Sequence, residues 1–225
     1  MQGPSTPTEE ELREDLVRQH AELVRYGLVV WTQGNASARI PGTDEFLIKG
    51  SGIRYEALDP RSIVRCDLDG NVLDDAGVSP SSDTFAHAYV YRHMPEVGGV
   101  VHTHSTYATA FAAHGRPIPC VLTGIADEFG GEIPVGPTGR VGDDSVGHSI
   151  VETLTGHRSS AMLVARHGVF TIGRNAEAAV KTAVMTEDAA RSVHAASTLG
   201  PAPEPLDPDY ITALRARYEH VYGQR

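Results

Sequence analysis

The sequence has few of the residues that stabilise secreted proteins or target chains to membranes. Its 225 residues contain only two cysteines, Cys66 and Cys120, which form no Cys-x-x-Cys pair. We therefore expect no disulfide framework and no structural zinc site, as in proteins of a reducing, cytoplasmic compartment. No run of about 18 consecutive apolar residues occurs, and residues 1–11 are acidic without a hydrophobic core. The sequence predicts neither a membrane span nor a secretory signal.

Basic residues are also scarce, and they form no cluster. Lysine and arginine number 19 against 29 aspartates and glutamates, which gives a formal net charge of −10. Nucleic acids and anionic membranes are therefore excluded as partners, although a locally positive pocket can still bind a small phosphorylated substrate. Because no stretch has the composition of a linker, we predict a flexible N-terminus over residues 1–8 and one domain over residues 9–225.

Hydrophobic spacing and turn residues predict mixed secondary structure. Thr6-Pro7-Thr8-Glu9 is typical of a capping box, and an apolar stripe then extends to Gly27. Strands are predicted at 28–31, 36–40, 46–48, 63–66 and 97–101, with a strand pair over 161–172. Helices are predicted at 81–93, 105–114, 143–156, 175–197 and 208–218. This order favours an α/β fold in three layers, with a largely antiparallel central sheet flanked by helices.

Two histidines follow a buried strand and indicate a metal site. His102 and His104 end the apolar run 97–101, and residues two apart on a strand point to the same side of the sheet. His167 ends a second apolar run and precedes Gly168, a residue that permits a tight turn. Three imidazoles with an open fourth position are typical of a catalytic zinc-type ion, although manganese and other divalent ions accept the same ligands.

Two segments are candidate anion sites. Ser81 and Ser82 stand at a predicted helix start, where backbone amides favour a phosphate; alternatively they are plain N-cap residues. Lys49 adds a cation to a glycine turn that continues through Ser51 and Gly52. Gly34 and Asn35 are equally consistent with a structural turn.

The spacing of residues alone does not assign a role to two aspartates and one tyrosine that are candidate site residues. Asp83, directly after the serines, is a possible fourth metal ligand or proton carrier, or it complements the helix dipole. Asp127 lies in a segment that contains several glycines, which predicts a loop in which the carboxylate is exposed to solvent. Tyr222, near the C-terminus, would ordinarily be a tail residue.

Six short motifs together resemble the class II aldolase/adducin family over nearly the whole chain, roughly residues 9–224. They are Thr32-Gln-Gly-Asn-Ala-Ser37, Ile48-Lys-Gly-Ser-Gly52, Pro80-Ser-Ser-Asp-Thr84, Gly98-Gly-Val-Val-His-Thr-His-Ser105, His167-Gly168 and Tyr222-Gly-Gln224. Within the family, the motifs are most similar to those of its sugar-phosphate 4-epimerases. Related aldolases carry glutamate at the position of Asp83.

The resemblance implies a role for each matching position. Each subunit would bind one zinc-type ion through His102, His104 and His167, with Asp83 as a further ligand. The substrate-binding positions would be Gly34, Asn35, Ser51, Gly52, Ser81 and Ser82. The serines among them would contact the phosphate of the substrate. Asp127 and Tyr222 would be the acid/base pair, the tyrosine coming from a neighbouring subunit. The family therefore suggests a homotetramer with active sites at subunit interfaces.

The implied reaction is a retro-aldol cleavage followed by re-addition, because the inverted carbon bears no acidic hydrogen. The first expectation is 4-epimerisation of L-ribulose 5-phosphate to D-xylulose 5-phosphate. A class II aldolase acting on L-fuculose 1-phosphate or a related ketose phosphate is the alternative, since Ile125 and Glu128 depart from the epimerase pattern around Asp127. A non-catalytic module like the adducin head domain is the third possibility.

Overall fold

The computed structural model describes residues 6–74 and 77–221. Within these ranges the chain forms seven α-helices and one seven-stranded sheet. The helices are α1 Glu9–Arg25, α2 Thr84–His93, α3 Thr106–Ala113, α4 Thr123–Phe129, α5 Ser145–Leu154, α6 Ala176–Thr198 and α7 Pro208–Val221. The strands are β1 Asn35–Arg39, β2 Glu45–Lys49, β3 Ile63–Asp67, β4 Gly99–Thr103, β5 Val135–Gly136, β6 Ala161–Val164 and β7 Gly168–Gly173. No helix in these ranges is long and apolar enough to cross a membrane.

The sheet is mixed, although most of its pairs are antiparallel. Its strand order is β3-β2-β1-β4-β7-β6-β5, and only the pairing of β5 with β6 is parallel. The predicted antiparallel character is therefore confirmed except at this edge. Along β2, Phe46 and Ile48 pack on one face with α2 and α5, whereas Leu47 packs on the other with α1 and α6. This alternation places helices on both faces of the sheet.

Several local predictions need correction. The capping box of α1 is built on Thr8 and Glu11, not on Thr6 and Glu9, because the helix begins at Glu9. No strand forms over residues 28–31; the chain turns there, and Trp31 has a φ of 61°. The predicted loop around Asp127 is helix α4.

Helix α6 fixes the position of the histidine strand. Asn175 caps its N-terminus as predicted, accepting a hydrogen bond from the Ala178 amide at 2.9 Å. A Cβ atom at Gly98 or Gly99 would collide with backbone atoms of Arg174, Asn175 or Ala176. The start of β4 can therefore lie directly against the start of this helix only without side chains at these two positions.

Candidate active site

Three histidine side chains meet at the ends of the central strands. His102 is the fourth residue of β4, His104 follows the end of that strand, and His167 lies between β6 and β7. Each offers a ring nitrogen, and these three atoms lie within 4.8 Å of one another. The Nε2 atoms of His102 and His104 are 3.0 Å apart. Two nitrogens bound to one tetrahedral zinc ion would be about 3.3 Å apart. The spacing therefore fits a shared metal ion.

The protonation states of the three rings also suit a metal. Burial is the largest cause that lowers the pKa of His102, to about 3, and it also lowers the pKa of His104 and His167. At neutral pH the three imidazoles are therefore uncharged and each has a free lone pair. Nδ1 of His102 lies 2.9 Å from the carbonyl oxygen of Val169 and donates to it, which leaves Nε2 as the free ligand atom.

The residue after His167 is glycine because of space, not because of its backbone angle. A Cβ atom at Gly168 would lie 2.6 Å from the carbonyl oxygen of Thr103 and 3.2 Å from Cε1 of His102. The positive φ at this turn belongs to Arg166, at 60°. Gly168 thus allows β7 to approach the histidine strand closely.

Asp83 lies beside the histidines but is not one of the three clustered ligands. It is the N-cap residue of α2, yet its side chain makes no capping hydrogen bond. Instead its Oδ2 accepts from Nδ2 of Asn35 at 2.8 Å. Burial raises the pKa of Asp83, but His102, His87 and the Asn35 hydrogen bond together lower it further, so the net pKa is below its ordinary value. The buried carboxylate is therefore charged next to the three imidazoles.

An open cleft of about 400 Å³ joins the histidines to most of the other candidate residues. Its lining includes His102, His104, His167, Asp83, Gly34, Asn35, Lys49, Ser51, Gly52, Ser81 and Ser82. Four more lining residues were not singled out from the sequence: Thr32, Gln33, Gly50 and Val141. Three of them belong to motifs already noted, but Val141 has no signal of its own because it comes from the Gly-rich segment before α5.

Lys49 is a buried cation inside this cleft. Its side chain is only 2% exposed, and among the described residues it forms no ion pair. The ammonium lies 3.2 Å from the carbonyl oxygen of Gly50 and 5.2 Å from the centre of the Tyr55 ring. Burial lowers the pKa of Lys49 to about 8. A ligand that supplies negative charge would compensate this lysine directly.

Two further histidines support the site from the core. His20 on α1 accepts a hydrogen bond from the Ala36 amide through Nε2 at 2.9 Å, next to Asn35. His87 on α2 contacts the hydroxyl of Ser37 through Nδ1 at 2.7 Å. Burial lowers the pKa of both rings to about 4, so they are neutral hydrogen-bonding groups, as expected for core histidines.

Asp127, one of the two proposed proton carriers, is not among the described residues that line this cleft. Asp127, on α4, lines a separate cleft with residues of α7 that include Tyr218. Arg215 of α7 joins these helices by donating to the carbonyl oxygens of Asp127 and Glu128 at 2.7 and 2.6 Å. Tyr222 lies outside the described residues, directly after the end of α7.

The family of the chain follows from its sequence. The profile of the Class II Aldolase and Adducin N-terminal domain matches residues 14–194. The chain belongs to this family. A class II aldolase/adducin relative, L-ribulose-5-phosphate 4-epimerase UlaF of Salmonella paratyphi C (strain RKS4594), is 37% identical over 231 residues, covering 96% of this chain and 100% of the relative.

Solved structures of the class II aldolase/adducin type have the same fold. An L-fuculose 1-phosphate aldolase superposes with a TM-score of 0.87 at 24% identity, covering 96% of this chain and 100% of the other. YgbL from Klebsiella pneumoniae superposes with a TM-score of 0.81 at 27% identity, covering 93% and 100%. The family is metal-dependent, and the three-histidine group could hold such an ion.

Proposed function

We propose that the chain is a metal-dependent sugar-phosphate epimerase that converts L-ribulose 5-phosphate to D-xylulose 5-phosphate. The observation that carries this proposal is the match to the UlaF epimerase over its full length, in a chain that has Asp83 beside the three histidines. Zinc is the proposed ion at His102, His104 and His167, with Asp83 as a further ligand or a proton carrier. When bound, the ion supplies Lewis-acid stabilisation of the negative charge that develops beside the carbonyl.

The phosphate is proposed to bind in the same cleft as the metal ion. Lys49 provides the cation, and the hydroxyls of Ser51, Ser81 and Ser82 provide donors. Gly34, Asn35 and Gly52, which also line the cleft, are proposed to contact the sugar, and the Asn35 amide donates to Asp83. Burial makes the Lys49 interaction stronger than one at an exposed lysine.

Asp127 and Tyr222 are proposed to transfer the protons. As the bond between C3 and C4 breaks, its electron pair moves toward the C2 carbonyl, and a base removes the C4 hydroxyl proton. The aldehyde then rotates, the bond re-forms on its other face, and an acid returns a proton to the C4 oxygen. Because Asp127 lies off the cleft of its own chain, we propose that a neighbouring subunit delivers both carriers, within a homotetramer whose protomers are single domains over residues 9–225.

A product assay separates this function from its alternatives. Metal-loaded protein is incubated with L-ribulose 5-phosphate, and D-xylulose 5-phosphate is the expected product. Release of dihydroxyacetone and glycolaldehyde phosphate, or cleavage of L-fuculose 1-phosphate, would instead identify an aldolase, the alternative suggested by Ile125 and Glu128 beside Asp127. No turnover of any ketose phosphate would favour an adducin-like binding module.

The pH dependence of substrate binding should report the charge of Lys49. Because the pKa of Lys49 in the free protein is lowered to about 8, the ammonium is present below this pH and is lost above it. The KM for the sugar phosphate is expected to rise about tenfold per pH unit above pH 8. Lys49→Met should show a high KM that no longer changes between pH 7 and 9. A wild-type KM that is constant over this range would contradict the phosphate assignment.

A further inference from the structure

A buried carboxylate at the start of α3 is not used by the proposed reaction. Glu187, in the middle of α6, is only 3% exposed. Among the described residues it forms no ion pair, and its oxygens accept hydrogen bonds from two backbone amides. The Tyr107 amide lies 3.0 and 3.1 Å from the two oxygens, and the Ala108 amide lies 2.9 Å from Oε2.

These two amides belong to the first turn of α3. The N-cap residue of this helix, Ser105, makes no side-chain capping hydrogen bond. Glu187 therefore provides the cap from another helix, where a negative charge is also stabilised by the helix dipole. A carboxylate buried in this way is costly without such partners, so the contact strongly fixes the position of α3 relative to α6.

The same face of α6 also holds the Tyr107 ring. Arg191 and His194 lie four and seven residues after Glu187, which places the three side chains on one side of the helix. The Arg191 guanidinium is 5.5 Å from the centre of the Tyr107 ring, and the ring centres of His194 and Tyr107 are 5.4 Å apart. Both the backbone and the side chain of Tyr107 are thus attached to α6.

His104 lies in the short segment between β4 and α3. Thr103, just before it, pairs with Val169 on β7, and α3 begins two residues after His104, at Thr106. We propose that Glu187 is a positioning residue for the metal site, because it fixes the start of α3 and thereby the place of the His104 imidazole relative to the other two. This inference rests on the proposed function only in requiring a divalent ion at the three histidines.

The test compares Glu187→Gln with Glu177→Gln, which removes an exposed carboxylate from the first turn of the same helix. The probe is Co²⁺, followed by its visible absorption bands and by competition with a chelator on the full-length chain. Glu187→Gln is expected to bind Co²⁺ about tenfold more weakly and to alter the absorption bands. Glu177→Gln should match the wild type in both measurements.

A purely structural role would give a different result. If Glu187→Gln only lowers the melting temperature and retains wild-type Co²⁺ affinity and spectrum, the proposal is wrong. Should this variant not fold, Glu187→Asp keeps the charge but withdraws it by about 1.5 Å, one methylene; weaker Co²⁺ binding supports the proposal, and wild-type binding overturns it. Glu187-dependent Co²⁺ binding in a chain that converts no ketose phosphate would refute the proposed function alone.

Discussion

Replacing His102 with alanine is expected to abolish both metal binding and turnover. The change removes the most buried of the three imidazoles, the one whose tautomer is fixed by the Val169 carbonyl. Two remaining histidines hold a divalent ion poorly, and the Lewis-acid contribution of several kcal/mol is lost with it. We expect activity to fall by at least about a thousandfold. Metal content after gel filtration and the rate of product formation measure the two effects.

His114→Ala is the matched control for this variant. His114 is exposed and lies at the C-terminus of α3, away from the cleft, so its loss should leave metal content and rate unchanged. Circular dichroism of both variants without metal checks that the fold is retained. If a folded His102→Ala protein retains stoichiometric metal or wild-type turnover, the three histidines are not the metal site.

Two inactive variants are expected to regain activity when they are combined in one oligomer. Asp127→Asn should lower turnover about a hundredfold or more if Asp127 is a proton carrier as proposed, while its metal content stays normal. Asp127 lines a cleft separate from the three histidines of its own chain. In the proposed tetramer, a subunit with an intact cleft but no carboxylate at position 127 would be completed by a neighbour that lacks only His102.

Co-expression of Asp127→Asn and His102→Ala chains, purified through different tags, tests this directly. When the two chains assemble randomly in equal amounts, about a quarter of the sites combine an intact histidine cleft with an intact Asp127 from the neighbour. About a quarter of wild-type activity is therefore expected. Each variant alone is the control. If mixed oligomers form but stay as inactive as the single variants, the two groups act within one chain.

The sequence predicted the regular elements well where a local signal was strong. Short apolar runs bounded by turn residues identified β1 to β4, and Asn175 marked the start of α6 correctly. Two failures have physical reasons. Residues 28–31 have the composition of a strand, but the chain turns at Trp31. Helix α4 has only seven residues and contains Gly124, so it shows too little periodicity to be distinguished from a loop.

The site was predicted unequally for a related reason. His102 and His104 are neighbours in sequence and their convergence follows from strand geometry, whereas the meeting with His167 needs the pairing of β4 with β7. Local sequence signals and the motif resemblance together supplied the remaining cleft residues except Val141. Neither source indicated the burial of Lys49 or the contact of Glu187 with α3, because each depends on packing between segments far apart in the chain.

The buried ammonium of Lys49 has a consequence for the energetics of the empty enzyme. Its pKa, lowered by burial to about 8 from an ordinary value of 10.5, means that folding with this charge costs free energy at neutral pH. The penalty is fully present below pH 8 and disappears as the pH rises toward 10.5. If Lys49 binds the phosphate as proposed, this binding is obtained at the expense of conformational stability, and an apolar residue at position 49 would give a more stable protein with weaker phosphate binding.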